Sequence, residues 1–562
     1  MTETYVELES VSSKLKKTGI LSKLFSKALP HELSQIVLLV QGLVYPRFTG
    51  FELGIASQMT MRAISKATGM KPENVEQKFK KTGDLGLVAE QCIKTKRQPT
   101  LLRNNLTVDF VFTTLQRLAT ITGEGSQDRK LNLIAGLILS ARPIEARYIT
   151  RTAIGYLRVG AAEGIIRDAI ANAFLLKKDT TKEEKKEITA AVEYAWNLLS
   201  DFGEVATIAK DNGLKGLRTV RVELGKPIQV MLAEKEESLE DVIKKYGKIA
   251  IEWKYDGMRA QIQKQGNEIK VYTRRLENVT HQFPDLVKIC RKGIKANECI
   301  VEGEVLGVDK KGSPLPFQKL SSRIHRKYDI DKMVKEIPIQ IHLFDIIFLN
   351  GEILLNKPLT ERRKILEKNV ERIPGKLELA RQLVTDSLKE AEKFYEGALK
   401  ARQEGVMLKV LTAPYAFGRH VDGWIKIKPV MESLDLVVIG ATWGEGGRAN
   451  WLTSYVLAAR DPGTGILLEV GMMSTGLTEE EYKNMTKTLK PLTTKEKGRM
   501  IEVKPKVVVE VNYQEIQKST NYDSGFALRF PTLSRFREDK SPSEADTISR
   551  VKKLFESQGK AG

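Results

Sequence analysis

Apolar residues recur every three to four positions from about residue 5 to residue 213, as in Leu33, Ile36, Val37 and Val40, then Leu43 and Val44 ahead of Pro46. That spacing predicts helix after helix, with further stretches at 107–122, 145–173 and 181–199 set apart by glycine, proline or short charged turns. After Gly225-Lys-Pro the period drops to two. Ala260 and Ile262, a Gln265-Gly266-Asn267 turn, then Ile269 and Val271 read as a β-hairpin. The apolar runs 299–306 and 337–348 and the stretches 406–410 and 424–427 read as strands, and 359–401 as a charged helical segment. Past Pro429 come short strands with glycine turns, at 434–440, 454–459, 467–470 and 506–513, a pattern that suggests a small barrel. A terminal helix with a frayed end is expected over 541–562. The pattern predicts a multidomain chain: an all-α domain over 1–215, a mixed α/β (α+β) domain over 216–429 and an all-β barrel with a C-terminal helix over 430–562.

Composition narrows the partners. The 562 residues carry 91 lysines and arginines against 71 acidic residues, a formal +20, which favours a polyanion such as nucleic acid. Three scattered cysteines, Cys92, Cys290 and Cys299, are too few for a disulfide framework or a four-cysteine zinc site. No window has the length of a membrane span, and residues 1–10 are acidic where a secretory signal is basic and then apolar. The expectation is a soluble intracellular protein without a membrane partner. Within 145–160, Arg147, Arg151 and Arg158 share turns with tyrosines and small residues, a face that can meet phosphates or simply be solvated.

The strongest local signal is Glu252-Trp-Lys254-Tyr-Asp256-Gly257-Met-Arg259, directly after the short apolar strand 249–251. A lysine amine attacks phosphorus only when neutral, against a reference pKa of roughly 10.4, so the site has to favour the uncharged form. Arg259, Arg274 and a bound metal would do so by like-charge repulsion. Downstream follow, in order, Tyr272-Thr-Arg274-Arg275, Val301-Glu302-Gly303-Glu304, Leu343-Phe344-Asp345, Glu404-Gly405-Val-Met-Leu-Lys409 and Trp424-Ile-Lys426-Ile-Lys428. Glu304 and Glu404 are carboxylates suited to Mg²⁺ or Mn²⁺, with Glu302 a weaker candidate. Phe344 is suited to stack on adenine, with core packing as its rival role, and Glu252 to help read the base. Lys426 and Lys428, two apart on a strand, share a face and can both reach an α-phosphate.

In that order these elements resemble the motifs of covalent nucleotidyltransferases, the superfamily of DNA ligases, RNA ligases and messenger RNA capping enzymes. With a helical region before the core and a strand-rich region after it, the chain resembles the archaeal and eukaryotic replicative ATP-dependent DNA ligases. The resemblance implies that Lys254 takes up AMP, that Arg259 and Arg274 contact the nucleotide, that the barrel is an OB-fold and that the helical domain binds DNA. It also points to Arg419, because His420 stands where these ligases usually carry an arginine six residues before the first lysine of the Trp-x-Lys-x-Lys element. Near the C-terminus, Ala527-Leu-Arg529-Phe-Pro531-Thr-Leu-Ser-Arg535-Phe-Arg537-Glu-Asp539-Lys540 resembles the ligase motif that orients pyrophosphate, which implies that role for Arg535, Arg537, Asp539 and Lys540. The implied activity is sealing of nicks in duplex DNA with ATP as co-substrate, in replication, repair and recombination. The implied setting is a cytoplasmic, nucleoid-associated monomer, with a sliding clamp as a candidate partner. The alternatives are a capping guanylyltransferase, an RNA ligase or an inactive DNA-clamping scaffold.

Overall fold

The computed structural model describes residues 1–95, 106–324, 326, 328–418, 423–429, 431–445 and 448–558. Arg419 and His420 lie outside them. The chain divides into two compact units, one built from 1–236, 240–387 and 407–426, the other from 237–239, 388–406 and 427–562. Among the described residues no helix is long and apolar enough to cross a membrane.

The first unit opens with a run of helices, among them Leu33–Val40, Val108–Thr120, Pro143–Ala153, Glu163–Phe174 and Lys182–Leu199. Their apolar stripes meet in clusters that include Leu38, Val88, Leu115 and Ile134, and Phe25, Ile166, Leu198 and Phe202. The single helix expected over 145–173 is two, because Gly155 and Gly160 take positive φ between them, a left-handed conformation that ends an α-helix. The arginine face also differs from expectation. Arg151 is buried, donating to Asp84 from Nη2 at 2.7 Å and pairing with Glu9, while Arg147 Nε donates to Glu90 at 2.6 Å. Both arginines are committed to carboxylates, Arg151 buried and Arg147 partly covered.

Strands of the middle region follow in chain order: β1 (Glu234–Lys235), β2 (Ile249–Lys254), β3 (Met258–Gln265), β4 (Glu268–Thr273), β5 (Glu298–Gly307), β6 (Ile339–Leu349), β7 (Glu352–Ile353), β8 (Leu377–Leu379), β9 (Gln382–Thr385), β10 (Gly405–Lys409) and β11 (Trp424–Ile427). One sheet runs β4-β3-β5-β6-β7 with β8 beside β6, and another runs β1-β11-β10-β2-β9. The predicted hairpin is β3–β4, closed by Gly266-Asn267 between the paired Gln265 and Glu268. The charged segment 359–401 is not one helix. It is Leu359–Asn369 and Leu388–Lys400 with β8 and β9 between them: the first helix ends where Val370 turns extended to bridge Ile294, and a turn at Pro374-Gly375 then leads into the short strands. Gln261 pins the connection from the helical region, accepting from Ile228 N at 3.0 Å and donating to Ile228 O at 3.1 Å.

The second unit is strand-rich: β12 (Leu434–Trp443), β13 (Leu452–Arg460), β14 (Leu467–Met473), β15 (Thr493–Lys497), β16 (Met500–Asn512), β17 (Glu515–Lys518), β18 (Phe526–Arg529) and β19 (Thr532–Phe536). Its main sheet runs β14-β13-β12-β16-β15 with β19 also on β16, and β17 pairs with β18. Among the described residues this path does not close on itself, so the region is an open strand-rich domain where a closed barrel was expected. Leu436, Tyr455, Leu457 and Val509 fill its core, and the C-terminal helix Ile548–Ser557 adds Val551 and Leu554. All three cysteines are buried and free, Cys92 among the helices, Cys290 and Cys299 beside the β3–β6 sheet.

Candidate nucleotide site

Lys254 is the last residue of β2, whose first four residues are buried. Placing an amine at a strand end lets the strand core fix the backbone while the side chain leaves the sheet. The turn that follows is held closely: a Cβ at Gly257 would run into the carbonyl oxygen of Val305 in β5, so only glycine permits this approach.

The next strand carries Arg259. It stands across from Glu304 in β5, and Glu304 in turn stands across from His342 in β6, so the three side chains share one face of the sheet. Glu304 keeps some exposure, yet protein packs around its carboxyl. Burial pushes that carboxyl up to about 7, against the lowering influence of Lys254, Arg259 and Arg274 and with Asp256 adding to the rise. One carboxylate is therefore within electrostatic reach of four other residues singled out in the sequence. Arg274, just past β4, also lines a cleft with Trp196, Gln229 and Phe417.

Glu302 plays a different part from its neighbour two residues on. It is fully buried, accepts from Arg259 Nη2 at 2.7 Å and from the Tyr415 hydroxyl at 2.8 Å, and that hydroxyl accepts from Met231 N at 3.0 Å. Burial works against the charge of Arg259, and the adjacent Glu302 outweighs it, so the guanidinium pKa moves up. Glu302 is thus occupied in fixing Arg259, which explains its weakness as a metal candidate. Tyr415 was not foreseen from the sequence, and nothing in its loop, Ala413-Pro-Tyr, marks it locally.

Glu252 is buried as well. Its carboxylate lies 2.6 Å from Lys409 Nζ and accepts from Gln382 Nε2 at 2.8 Å. The Lys409 ammonium lies over the rings of Phe344 and Trp424, 4.5 and 4.4 Å from their centroids, and Phe344 meets Trp424 edge-on at 5.7 Å. Phe344 is 9% exposed and belongs to the hydrophobic cluster of the first unit. Asp345, next to it, is bound on both oxygens by Arg362, each fully buried, and serves packing.

Lys426 lies on β11 and donates to Ala233 O at 3.1 Å. The strand ends at Ile427, so Lys428 lies just beyond it, in the second unit, 3.0 Å from Glu404. In that same unit Arg537 donates to both oxygens of Asp435 at 2.9 and 2.8 Å and to Asp539 at 2.9 and 2.7 Å. Lys540 reaches Asp435 at 2.6 Å, and Arg535 reaches Glu510 at 2.5 Å. The predicted pyrophosphate-orienting residues therefore form one ion-pair network, covered at Arg537 and Asp435 and exposed at Arg535 and Asp539.

Comparison with known proteins bears on what this geometry serves. A family model described as "DNA ligase N terminus" matches residues 1–171, one described as "ATP dependent DNA ligase domain" matches 230–428, and one described as "ATP dependent DNA ligase C terminal region" matches 448–540. The chain is 46% identical to a DNA ligase of Nanoarchaeum equitans over 99% of its own length and 97% of the relative's. It is 44% identical to DNA ligases of Thermococcus onnurineus and Archaeoglobus fulgidus, over 99% and 98% of this chain and 97% of each relative. Among solved structures, two described as "Pmar-Lig_Pre." and "Pmar-Lig_PreS3" share its fold with TM-scores of 0.59 and 0.56, at 16% and 17% identity, covering 96% and 95% of this chain and 99% of each. With all three of its regions matched and nearly its whole length aligned, the chain belongs to the ATP-dependent DNA ligases.

Proposed function

We propose that this protein seals nicks in duplex DNA in three steps, with Lys254 as the residue that carries AMP. The observation behind this reading is the single carboxylate, Glu304, that senses Lys254, Asp256, Arg259 and Arg274 together. In the first step Lys254 Nζ attacks the α-phosphorus of ATP, an N–P bond forms, the bond to pyrophosphate breaks and the amine gives up its proton. In the second the AMP passes to a 5′-phosphate. In the third the adjacent 3′-hydroxyl displaces AMP and the strand is joined.

Each residue has a job in that scheme. Arg259, held rigid by Glu302 and Tyr415, and Arg274 present fixed positive charge to the nucleotide, which costs no reorganisation as charge builds on the phosphate. They also disfavour the protonated form of a nearby amine. Lys426 and Lys428 are assigned to the α-phosphate, Phe344 to the adenine face, and Glu252 to the base, with Lys409 and Gln382 holding its carboxylate. Arg419 is assigned to the nucleotide on the resemblance alone.

A divalent cation, Mg²⁺ or Mn²⁺, fits this chain. The Glu304 carboxyl sits at about 7 because burial leaves its charge under-compensated, and a hard cation beside it supplies what is missing. Among the described residues no group of three or more His, Cys, Asp or Glu side chains forms a closed cage. Magnesium bound through one or two carboxylates plus substrate phosphates needs none. Glu304 and Glu404 would hold it, and when bound it supplies charge neutralisation at the phosphates.

The functional partition we assign is a DNA-binding domain over 1–215, an adenylation domain over 216–429 and an OB-type domain over 430–562. In the last, Arg535, Arg537, Asp539 and Lys540 orient pyrophosphate as it leaves. The enzyme would act as a monomer on nicked DNA in the nucleoid, with a sliding clamp as recruiter.

The deciding experiment incubates the protein with α-labelled ATP and Mg²⁺ beside Lys254→Ala, then adds nicked duplex. A covalent label absent from the variant and discharged with strand sealing is expected. Labelling of the variant, or label discharged only onto RNA ends, would overturn the reading.

A further inference from the structure

The turn that carries Lys254 is braced by contacts on both sides. The Tyr255 hydroxyl accepts from Arg381 N at 3.0 Å, and the Tyr255 ring lies flat on the imidazole of His342, centroids 4.1 Å apart and planes 17° from parallel. His342 stands across from Glu378 on β8, and that segment leads into Arg381, so the ring and the backbone group that hold Tyr255 lie side by side. On the other side of the turn Gly257 presses against Val305, the neighbour of Glu304 on β5. His342 belongs to the same rung of the sheet as Glu304 and Arg259.

We propose that His342 is a positioning residue for the first chemical step, holding Lys254 in its attacking position through the ring of Tyr255. The inference rests on the reading of Lys254 as the AMP acceptor. Attack in line with a leaving group needs the nucleophile within roughly 3–3.5 Å of phosphorus, and a displacement of about 1 Å can cost on the order of a hundredfold. A lysine has a long flexible stem, so its aim depends on where the backbone at its base is fixed. The contact made by His342 is that of a neutral aromatic plate: burial pushes the imidazole down to about 4, leaving it uncharged in the working range. Another aromatic ring can replace it and an aliphatic stub cannot. Later steps, in which the AMP has already left the lysine, do not need this aim.

The test uses the full chain and two assays: the rate of Lys254 adenylation from α-labelled ATP as ATP is varied, and the rate of sealing a nick whose 5′-phosphate already carries AMP. For His342→Ala the maximal adenylation rate should fall about tenfold or more, while KM for ATP and sealing of the pre-adenylated nick stay within about twofold. His342→Phe should restore adenylation to within about threefold. Tyr255→Leu should reproduce the loss, and the double variant should be no worse than either single one, as expected for residues acting as a unit. If His342→Ala folds poorly, the comparison of Tyr255→Leu with His342→Phe reads the same contact. Unchanged adenylation in His342→Ala, an equal fall in both assays, or no rescue by phenylalanine would overturn the proposal. Lys254→Ala runs alongside: if it still takes up label, the reading of Lys254 fails, whereas an unlabelled Lys254→Ala with a normal His342→Ala removes only the role of His342.

Discussion

The charges around Lys254 and the charges of the C-terminal motif are organised in opposite ways. Near Lys254, Glu252, Glu302 and Lys409 are buried, and each has a partner fixed by strand register or by a distant loop. In the second unit Arg535 and Asp539 are largely exposed, and they pair with Glu510 and Arg537, which together with Asp435 are mostly covered. A buried array keeps its geometry whatever the solvent does, and suits residues that must be in place before a nucleotide arrives. The exposed outer members, Arg535 and Asp539, can exchange partners at little cost. Rigidity at the buried pairs and exchangeability at Arg535 and Asp539 follow from burial.

Three substitutions sharpen or break this contrast. The largest effect belongs to Glu302→Gln, which leaves the Arg259 charge without its buried counter-ion. A loss of about 3–5 kcal/mol in denaturant unfolding is expected, together with loss of adenylation. A change below about 1 kcal/mol would mean the array is far better solvated than its burial implies.

Next comes Glu304→Gln, read as a function of pH without divalent metal. The native carboxyl is raised from 4.5 to about 7, so its contribution favours folding below about pH 4.5 and is lost as pH climbs through 7. The amide escapes that loss. The variant should therefore melt higher than the parent at pH 8 and match it near pH 4, and Mg²⁺ should raise the melting temperature of the parent at pH 8 and not that of the variant. Equal melting at both pH values would remove the electrostatic case for Glu304 as a cation ligand.

The smallest effect is Asp539→Asn. Arg537 holds this exposed carboxyl down to about 2, so its stabilising influence is present above the ordinary carboxylate range and disappears as pH falls through 2. A melting shift of less than about 2 °C is expected at neutral pH, shrinking further in acid. A large shift would show that the C-terminal network is as fixed as the buried one.

Much of this was legible in the chain. Period-two alternation placed the β3–β4 hairpin and its turn, and the apolar runs at 299–306 and 337–348 became β5 and β6, because a strand buried on one face or both imprints itself on neighbouring residues. The order of short motifs identified the catalytic region. What stayed hidden depends on residues far apart in sequence. Glu302 and Glu304 look equivalent, two apart on one strand, and the hydrogen bonds from Arg259 and from Tyr415, 113 residues beyond Glu302, tell them apart. The arginines at 147 and 151 read as a phosphate-binding or a solvated face because their carboxylate partners, Glu9, Asp84 and Glu90, lie on other helices. The break between 153 and 163 was written in Gly155 and Gly160, but helical spacing on both sides masked it.

The distribution of the three thiols gives the molecule a built-in reporter. Cys92 sits inside the helical region, Cys290 and Cys299 sit beside the β3–β6 sheet of the middle region, and the strand-rich unit has none. A thiol-reactive dye finds no exposed sulfur on the native protein and gains access only as each region opens. Mass-resolved labelling during slow denaturation would then show which of these two regions yields first, with no foreign probe introduced.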